Sequence, residues 1–216
     1  MSVRTRIKIC GLSQRADVAA AVAAGADAIG LVFHPGSPRH VSLAQAAALA
    51  DELPPFVMPV GLFVNAPRSL VEAALAAIPS LLLQFHGDES PPDCAAYGRP
   101  YLRAARMAAE IDLLDFARLH RGAVGLVLDA HVEGWGGSGK VFDWSLVPQG
   151  VARHRLVLSG GLHAENVAAG IRQLRPGAVD VSSGVESTRG VKDPGAIRRF
   201  CDAVREADAT IAATPN

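Results

Sequence analysis

Residues 156–184 begin Leu156-Val157-Leu158-Ser159-Gly160-Gly161 and end Val179-Asp180-Val181-Ser182-Ser183-Gly184. Each flank is a short apolar run that stops at small residues and glycine. Between them Val167, Ile171 and Leu174 recur at three- to four-residue spacing, the mark of one helix face. The stretch therefore reads as strand, helix, strand, with both strands ending in turns of bare backbone. Two such turns side by side offer N–H groups and small hydroxyls to an anion, and a phosphate dianion fits that description.

The same alternation runs outward to the N-terminus. Strands are expected at Ile7–Cys10, Ala28–Phe33, Met58–Phe63, Leu81–Phe85, Tyr101–Ala105, Val124–Asp129, Leu156–Ser159 and Val179–Ser182. Leu70, Val71, Ala74, Leu75 and Ile78 form one helical face, and Ile197, Phe200, Cys201 and Val204 form another. Ser42 with Gln45 reads as a capping box, and Pro91 suits a first helical turn. Eight strands over 216 residues leave about 27 residues per unit, the scale of a βα repeat. A doubly wound sheet would carry a glycine fingerprint after its first strand. Here Cys10-Gly11-Leu12 follows, with no GxGxxG. The anion-type turns follow strands seven and eight instead, where a closed barrel places its phosphate site. The expectation is an α/β chain forming a single-domain (β/α)8 TIM barrel over residues 1–216, trimmed in several loops and helices. Residues Glu133–Lys140, rich in glycine, read as an active-site loop.

Half of the residues are hydrophobic, and 21 basic residues balance 21 acidic ones. No basic tract stands out, which speaks against nucleic acid and membrane surfaces as partners. Cys10, Cys94 and Cys201 are too few and too scattered for a disulfide framework, so a reducing, cytoplasmic setting is expected. Arg4, Arg6 and Lys8 precede no apolar signal core, and no apolar run reaches membrane length.

Side chains alternate along a strand. Ile7 and Ile9 should pack outward, leaving Lys8 and Cys10 to point into the barrel. Asp129 shares a face with Val127. Asp180 and Ser182 share the inward face of the last strand. A thiol beside a lysine is expected to have a depressed pKa and to serve as a base. Cys94 and Cys201, in helical stretches, read as inert core. A carboxyl at a partly buried rim can be held protonated by desolvation, so Asp129 reads as an acid. Arg39, in the proline-stiffened loop His34-Pro35-Gly36-Ser37-Pro38-Arg39, reads as a bidentate clamp for a substrate carboxylate. Gly160, Gly161, Ser183 and Gly184 form the expected phosphate cradle, and Gly184-Val185-Glu186 could open a short helix. Glu186 is expected to point outward, since inside it would repel a phosphate. The seven histidines show no metal-ligand spacing such as HExxH, and neither a metal nor another cofactor is expected.

Several stretches together resemble the phosphoribosylanthranilate isomerase family of tryptophan biosynthesis. They are Lys8-Ile9-Cys10-Gly11, Ser37-Pro38-Arg39, Val60-Gly61-Leu62-Phe63-Val64-Asn65 and Gln84-Phe85-His86-Gly87-Asp88-Glu89. They continue with Leu128-Asp129, Gly136-Gly137-Ser138-Gly139-Lys140, Phe142-Asp143-Trp144 and Ser159-Gly160-Gly161-Leu162 with Asn166-Val167. The last is Asp180-Val181-Ser182-Ser183-Gly184-Val185-Glu186. The resemblance implies a cofactor-free barrel acting on a small phosphorylated substrate, N-(5′-phosphoribosyl)anthranilate. Its reaction would be an Amadori rearrangement to 1-(2-carboxyphenylamino)-1-deoxyribulose 5-phosphate. It implies Cys10 as general base and Asp129 as general acid, with Lys8, Arg39, Gln84, His86 and Asp180 at the substrate. The phosphate would fall to Gly160, Gly161, Ser182, Ser183 and Gly184, and Arg39 would bind the anthranilate carboxylate. Phe85 stands where leucine is usual, and His40 where an aromatic residue is usual. The residues alone leave open another phosphosugar isomerase or epimerase, and a non-catalytic module that binds a phosphorylated metabolite. Indole-glycerol-phosphate synthase would need an inward catalytic lysine with glutamates, a set the strand ends do not offer. The chain is expected to be a monomer or a homodimer.

Overall fold

A computed structural model describes residues 4–108, 111–130 and 141–213. Eight strands close into a barrel in sequence order: β1 (Arg6–Cys10), β2 (Ala28–Val32), β3 (Met58–Phe63), β4 (Leu82–Phe85), β5 (Tyr101–Met107), β6 (Gly125–Ala130), β7 (Leu156–Leu158) and β8 (Ala178–Val181). Every neighbouring pair is parallel, and β8 pairs with β1 to complete the ring. The register sets Lys8 beside Ala28 on one side and Asp180 on the other, and Cys10 beside Gly30.

The helices are α1 (Arg15–Ala23), α2 (Leu43–Ala50), α3 (Arg68–Ala77), α4 (Pro91–Ala95), α5 (Leu113–Leu119), α6 (Ala164–Leu174) and α7 (Pro194–Ala213). Between β6 and β7 the described residues hold only 3-10 turns, at Trp144–Leu146 and Arg153–Arg155. Among the described residues no α-helix stands between these two strands. The glycine-rich stretch 133–140 lies outside the described residues. Beyond β8 the chain makes a 3-10 turn, Ser183–Val185, and then an antiparallel hairpin of β9 (Glu186–Thr188) and β10 (Val191–Lys192). The sequence reading had no hairpin there.

Local chemistry explains several helix starts. Ser42 accepts from Gln45 N–H, but the Gln45 amide donates to Ser13 O at 2.7 Å, so the expected reciprocal half of that capping box is not formed. The full box lies at α4, where Ser90 and Asp93 cap each other and Pro91 opens the helix.

Two packed layers follow from the strand alternation. Inside the ring, Val60, Leu102, Ala104, Val127 and Val157 fill the lower barrel. Outside, Ile7, Ile9, Leu31, Leu83, Leu128 and Val179 meet the apolar faces of the helices, among them Val167 and Ile171 of α6 and Phe200 and Val204 of α7. Burying each leucine or isoleucine contributes about 1.5–3 kcal/mol. Phe85 belongs to this outer layer, in ring contact with Phe63, Tyr97 and Tyr101, so the departure from leucine does not reach the barrel mouth. No described helix is long and apolar enough to cross a membrane.

Candidate active site

Polar side chains gather where the inner layer stops, at the C-terminal ends of the strands. Cys10, Arg39, Gln84, His86, Asp129 and Asp180 line one open cavity, together with Ser159, Gly160, Gly161, Ser182 and Ser183. Lys8 lies below it, and Gly184 behind it: a side chain at 184 would start 1.9 Å from the Leu162 carbonyl oxygen, so only glycine lets the two turns approach. His40 is exposed and does not line the cavity.

On one side of the mouth stand β1, β2 and β8. Lys8 Nζ donates to Asp180 Oδ1 at 2.9 Å, with both side chains buried. Burial works against the ammonium, but the charges of Asp180 and Cys10 and the hydrogen bonds to both together raise the Lys8 pKa. Cys10 sits above this pair, with its sulfur in space left free by Gly30, where a Cβ would lie 2.6 Å from Sγ. The expected depression of the thiol is not found. Burial pushes the Cys10 thiol up, Lys8 opposes that push, Asp180 adds to it, and Lys192 opposes it in turn. Lys8 does lower the thiol, but burial outweighs that pull and Asp180 works against it.

Glu186 corrects a second expectation. Its carboxylate does not point outward but is buried, held by Arg39 Nε at 2.6 Å, Arg39 Nη2 at 2.8 Å, Lys192 Nζ at 2.8 Å and Gly190 N–H at 3.0 Å. Burial would raise its pKa, yet the bonds from Arg39 and Lys192 bring it down to about 2. The Arg39 fork expected for a substrate thus already holds a carboxylate. Glu186 takes the side edge, Nε and Nη2; the end edge, Nη1 and Nη2, remains for a second carboxylate. Lys192, whose side chain is wholly buried, also donates to Ser182 O at 2.9 Å, and Ser182 Oγ donates to Cys10 O at 3.1 Å. The hairpin therefore ties the Arg39 loop, the last strand and β1 together.

The opposite side, β4 to β6, surrounds Asp129 with a run of hydrogen bonds and keeps its buried Arg103–Glu89 pair away from that carboxyl. Gln84 Nε2 lies 3.3 Å from His86 Nδ1, and an amide nitrogen can only donate. With the Gln84 amide in this orientation the ring proton is assigned to Nε2, which lies 3.0 Å from Asp129 Oδ2. Ala130 N–H donates to Asp129 Oδ1 at 3.0 Å. Gln84 Oε1 is buried with no partner among the described residues.

Between the two sides lie the glycine turns. Gly160 has φ of 77° and Gly161 of 65°, a left-handed backbone that glycine alone adopts freely. Among the described residues neither N–H donates a backbone hydrogen bond. Asn166 Nδ2 holds Gly161 O at 2.9 Å, and its Oδ1 accepts from His163 N–H at the start of α6. Among the described residues, no three His, Cys, Asp or Glu side chains cluster as a metal site. Sequence reasoning missed Lys192 and Arg103. Lys192 carries no local signal, and Arg103 shows only as a charge in an apolar strand, since the partners of each lie in other elements.

A model of the family described as N-(5′-phosphoribosyl)anthranilate (PRA) isomerase matches residues 7–203. The N-(5′-phosphoribosyl)anthranilate isomerase of Methylibium petroleiphilum is 66% identical over 212 residues, 98% of this chain and 99% of that one. The crystal structure of phosphoribosyl anthranilate isomerase from Thermotoga maritima superposes with a TM-score of 0.85 at 39% identity, covering 94% of this chain and 99% of that one. A further crystal structure of this isomerase, in complex with reduced 1-(o-carboxyphenylamino)-1-deoxyribulose 5-phosphate, gives 0.82 at 37% identity, again over 94% and 99%.

Proposed function

The chain belongs to the N-(5′-phosphoribosyl)anthranilate isomerase family, and we propose that it carries out that isomerisation, a step of tryptophan biosynthesis, with Cys10 as base and Asp129 as acid. The single observation that supports these roles is that both side chains line the same cavity as the paired glycine turns.

The chemistry follows from the groups present. Asp129, protonated in the substrate complex, gives its proton to the furanose ring oxygen. The C1′–O bond breaks as the anthranilate nitrogen lone pair forms the Schiff base. His86 Nε2–H and Ala130 N–H steady the carboxylate that remains. Cys10 thiolate then takes the proton from C2′, and the electron pair moves to give the enolamine. This tautomerises to the 2-ketose product. The free N–H groups of Gly160 and Gly161, with Ser182 and Ser183, take the phosphate, and the end edge of Arg39 takes the anthranilate carboxylate. Gln84 and Asp180 face the ribosyl part between them. Gripping both ends places C2′ at the thiol, and such positioning contributes several kcal/mol to a rate. The folded unit is one domain, cytoplasmic, and a monomer or homodimer.

The experiment is to incubate the protein with phosphoribosylanthranilate and follow the loss of its fluorescence, with and without a chelator. The reading expects turnover at the same rate in both. Equilibrium binding without turnover would favour a binding module instead, and abolition by chelator a metal-dependent isomerase.

A further inference from the structure

Arg103 is a charged residue in an apolar place. It lies on β5 opposite Phe85 of β4, on the strand face that elsewhere packs against helices. Its side chain is buried, with the Phe116 ring 5.6 Å from Cζ. A guanidinium in such a position is tolerated only where its N–H groups find acceptors. Here Nη1 donates to Phe85 O at 3.0 Å and to Ala104 O at 3.0 Å, and Nη2 donates to Gly87 O at 2.9 Å, while Nε has no partner among the described residues. Phe85 and Gly87 are the two neighbours of His86. The fork therefore grips the chain on both sides of the residue that touches Asp129.

We propose that Arg103 is a positioning residue for the acid: it clamps the end of β4 so that His86 Nε2 is aimed at Asp129 Oδ2. The proposal rests on the reading of Asp129 as the acid. The rest of the loop agrees with a built clamp. Glu89 lies 3.9 Å from Arg103 and accepts from Gly87 N–H at 2.8 Å and Asn65 N–H at 2.6 Å. His86 N–H donates to Phe63 O at 2.9 Å. The backbone of His86 is thus fixed from β3 on one side and from β5 on the other. A lysine has one ammonium and no planar fork, so it cannot reproduce a grip on two carbonyls.

The test compares Arg103→Met and Arg103→Lys, each checked for fold by circular dichroism, with His86→Asn, Asp129→Asn and the double variant R103M/H86N. Folded R103M is expected to lose about 10- to 100-fold in kcat, the scale of a misplacement near 1 Å. Its KM should stay within about twofold, because the substrate grips lie elsewhere. R103K should fall between R103M and the parent. In the H86N background the R103M change should have almost no further effect on kcat, since the clamp acts through His86. A folded R103M with parental kcat overturns the proposal, and so does an undiminished loss in the H86N background. Failure of both Arg103 variants to fold assigns the residue to the scaffold and overturns it as well. Full turnover by Asp129→Asn would instead sink the acid assignment, so the two failures are distinguishable.

Discussion

The two sides of the barrel mouth solve the same problem by different means. The β1, β2 and β8 side is a lattice of buried ions: Lys8 with Asp180, and Arg39 and Lys192 on Glu186. The β4 to β6 side is a chain of hydrogen bonds from Gln84 through His86 to Asp129, with its one buried cation, Arg103, set behind the strands. The comparison teaches that a charge beside a functional group need not decide its state. Lys8 pulls the Cys10 thiol down, yet burial is the larger effect and the thiol is pushed up. The ions hold the β1 and β8 side together, and the hydrogen bonds hold Asp129.

The ionic side should break hardest. Glu186→Gln leaves Arg39 and Lys192 buried without their carboxylate, and removing one partner of a buried pair costs about 3–5 kcal/mol. Urea unfolding measures this, and a loss under about 1 kcal/mol would place the pair among weakly coupled surface ions. Its pH signature has a definite sign. A carboxyl lowered to about 2 in the folded protein stabilises above its unfolded value near 4.5. That stabilisation is lost as the pH falls through about 2. The glutamine variant should lack this acid-side slope.

Steric pressure on the thiol comes next. Gly30→Ala puts a methyl 2.6 Å from Cys10 Sγ and 2.9 Å from its Cα, so the sulfur must move. A fall of about 100-fold in kcat is expected in a protein that still folds, the scale of an ångström-sized displacement. Parental kcat would show that the sulfur has room the packing does not suggest.

The two sides should also differ in their titration. The base acts as thiolate, and a thiol pushed up by burial is mostly protonated at neutral pH, so kcat/KM should climb with pH into the alkaline range. Asp180→Asn removes a charge that raises the thiol and should shift that limb to lower pH. A parental limb complete by about pH 7 would contradict the assignment.

The smallest effect lies away from the mouth. Ser42→Ala removes a cap bond to Gln45 N–H, which costs about 1 kcal/mol of stability by thermal melting. It should leave kcat unchanged, and a coupled loss would mean that α2 reaches the site.

How much of this was legible before the structure depended on where the information sits. Strand alternation placed Lys8, Cys10, Asp129 and Asp180 inside the barrel, because period two is a local property. The glycine turns at the cavity were legible too, because small residues at a strand end are also a local feature. Glu186 was misplaced because its neighbours in sequence do not reveal that Arg39, 147 residues away, and Lys192 converge on it. The lowered thiol failed likewise: Lys8 and Cys10 are adjacent on a face, but burial by the whole barrel outweighs Lys8, and Asp180, 172 residues from Lys8, adds to it. Arg103 breaks the apolar pattern of its strand face, a visible anomaly whose meaning lies in carbonyls of β4. The hairpin after β8 gave no signal, since its strands are two and three residues long.

The most direct test is the turnover of phosphoribosylanthranilate by Cys10→Ala and Asp129→Asn, read side by side as loss of substrate fluorescence. Each variant should lose about 10²- to 10⁴-fold in kcat, the contribution of a positioned acid or base, while still binding the reduced product analogue. Turnover by either variant within about tenfold of the parent would contradict the account, because a positioned proton donor or acceptor is worth more than that.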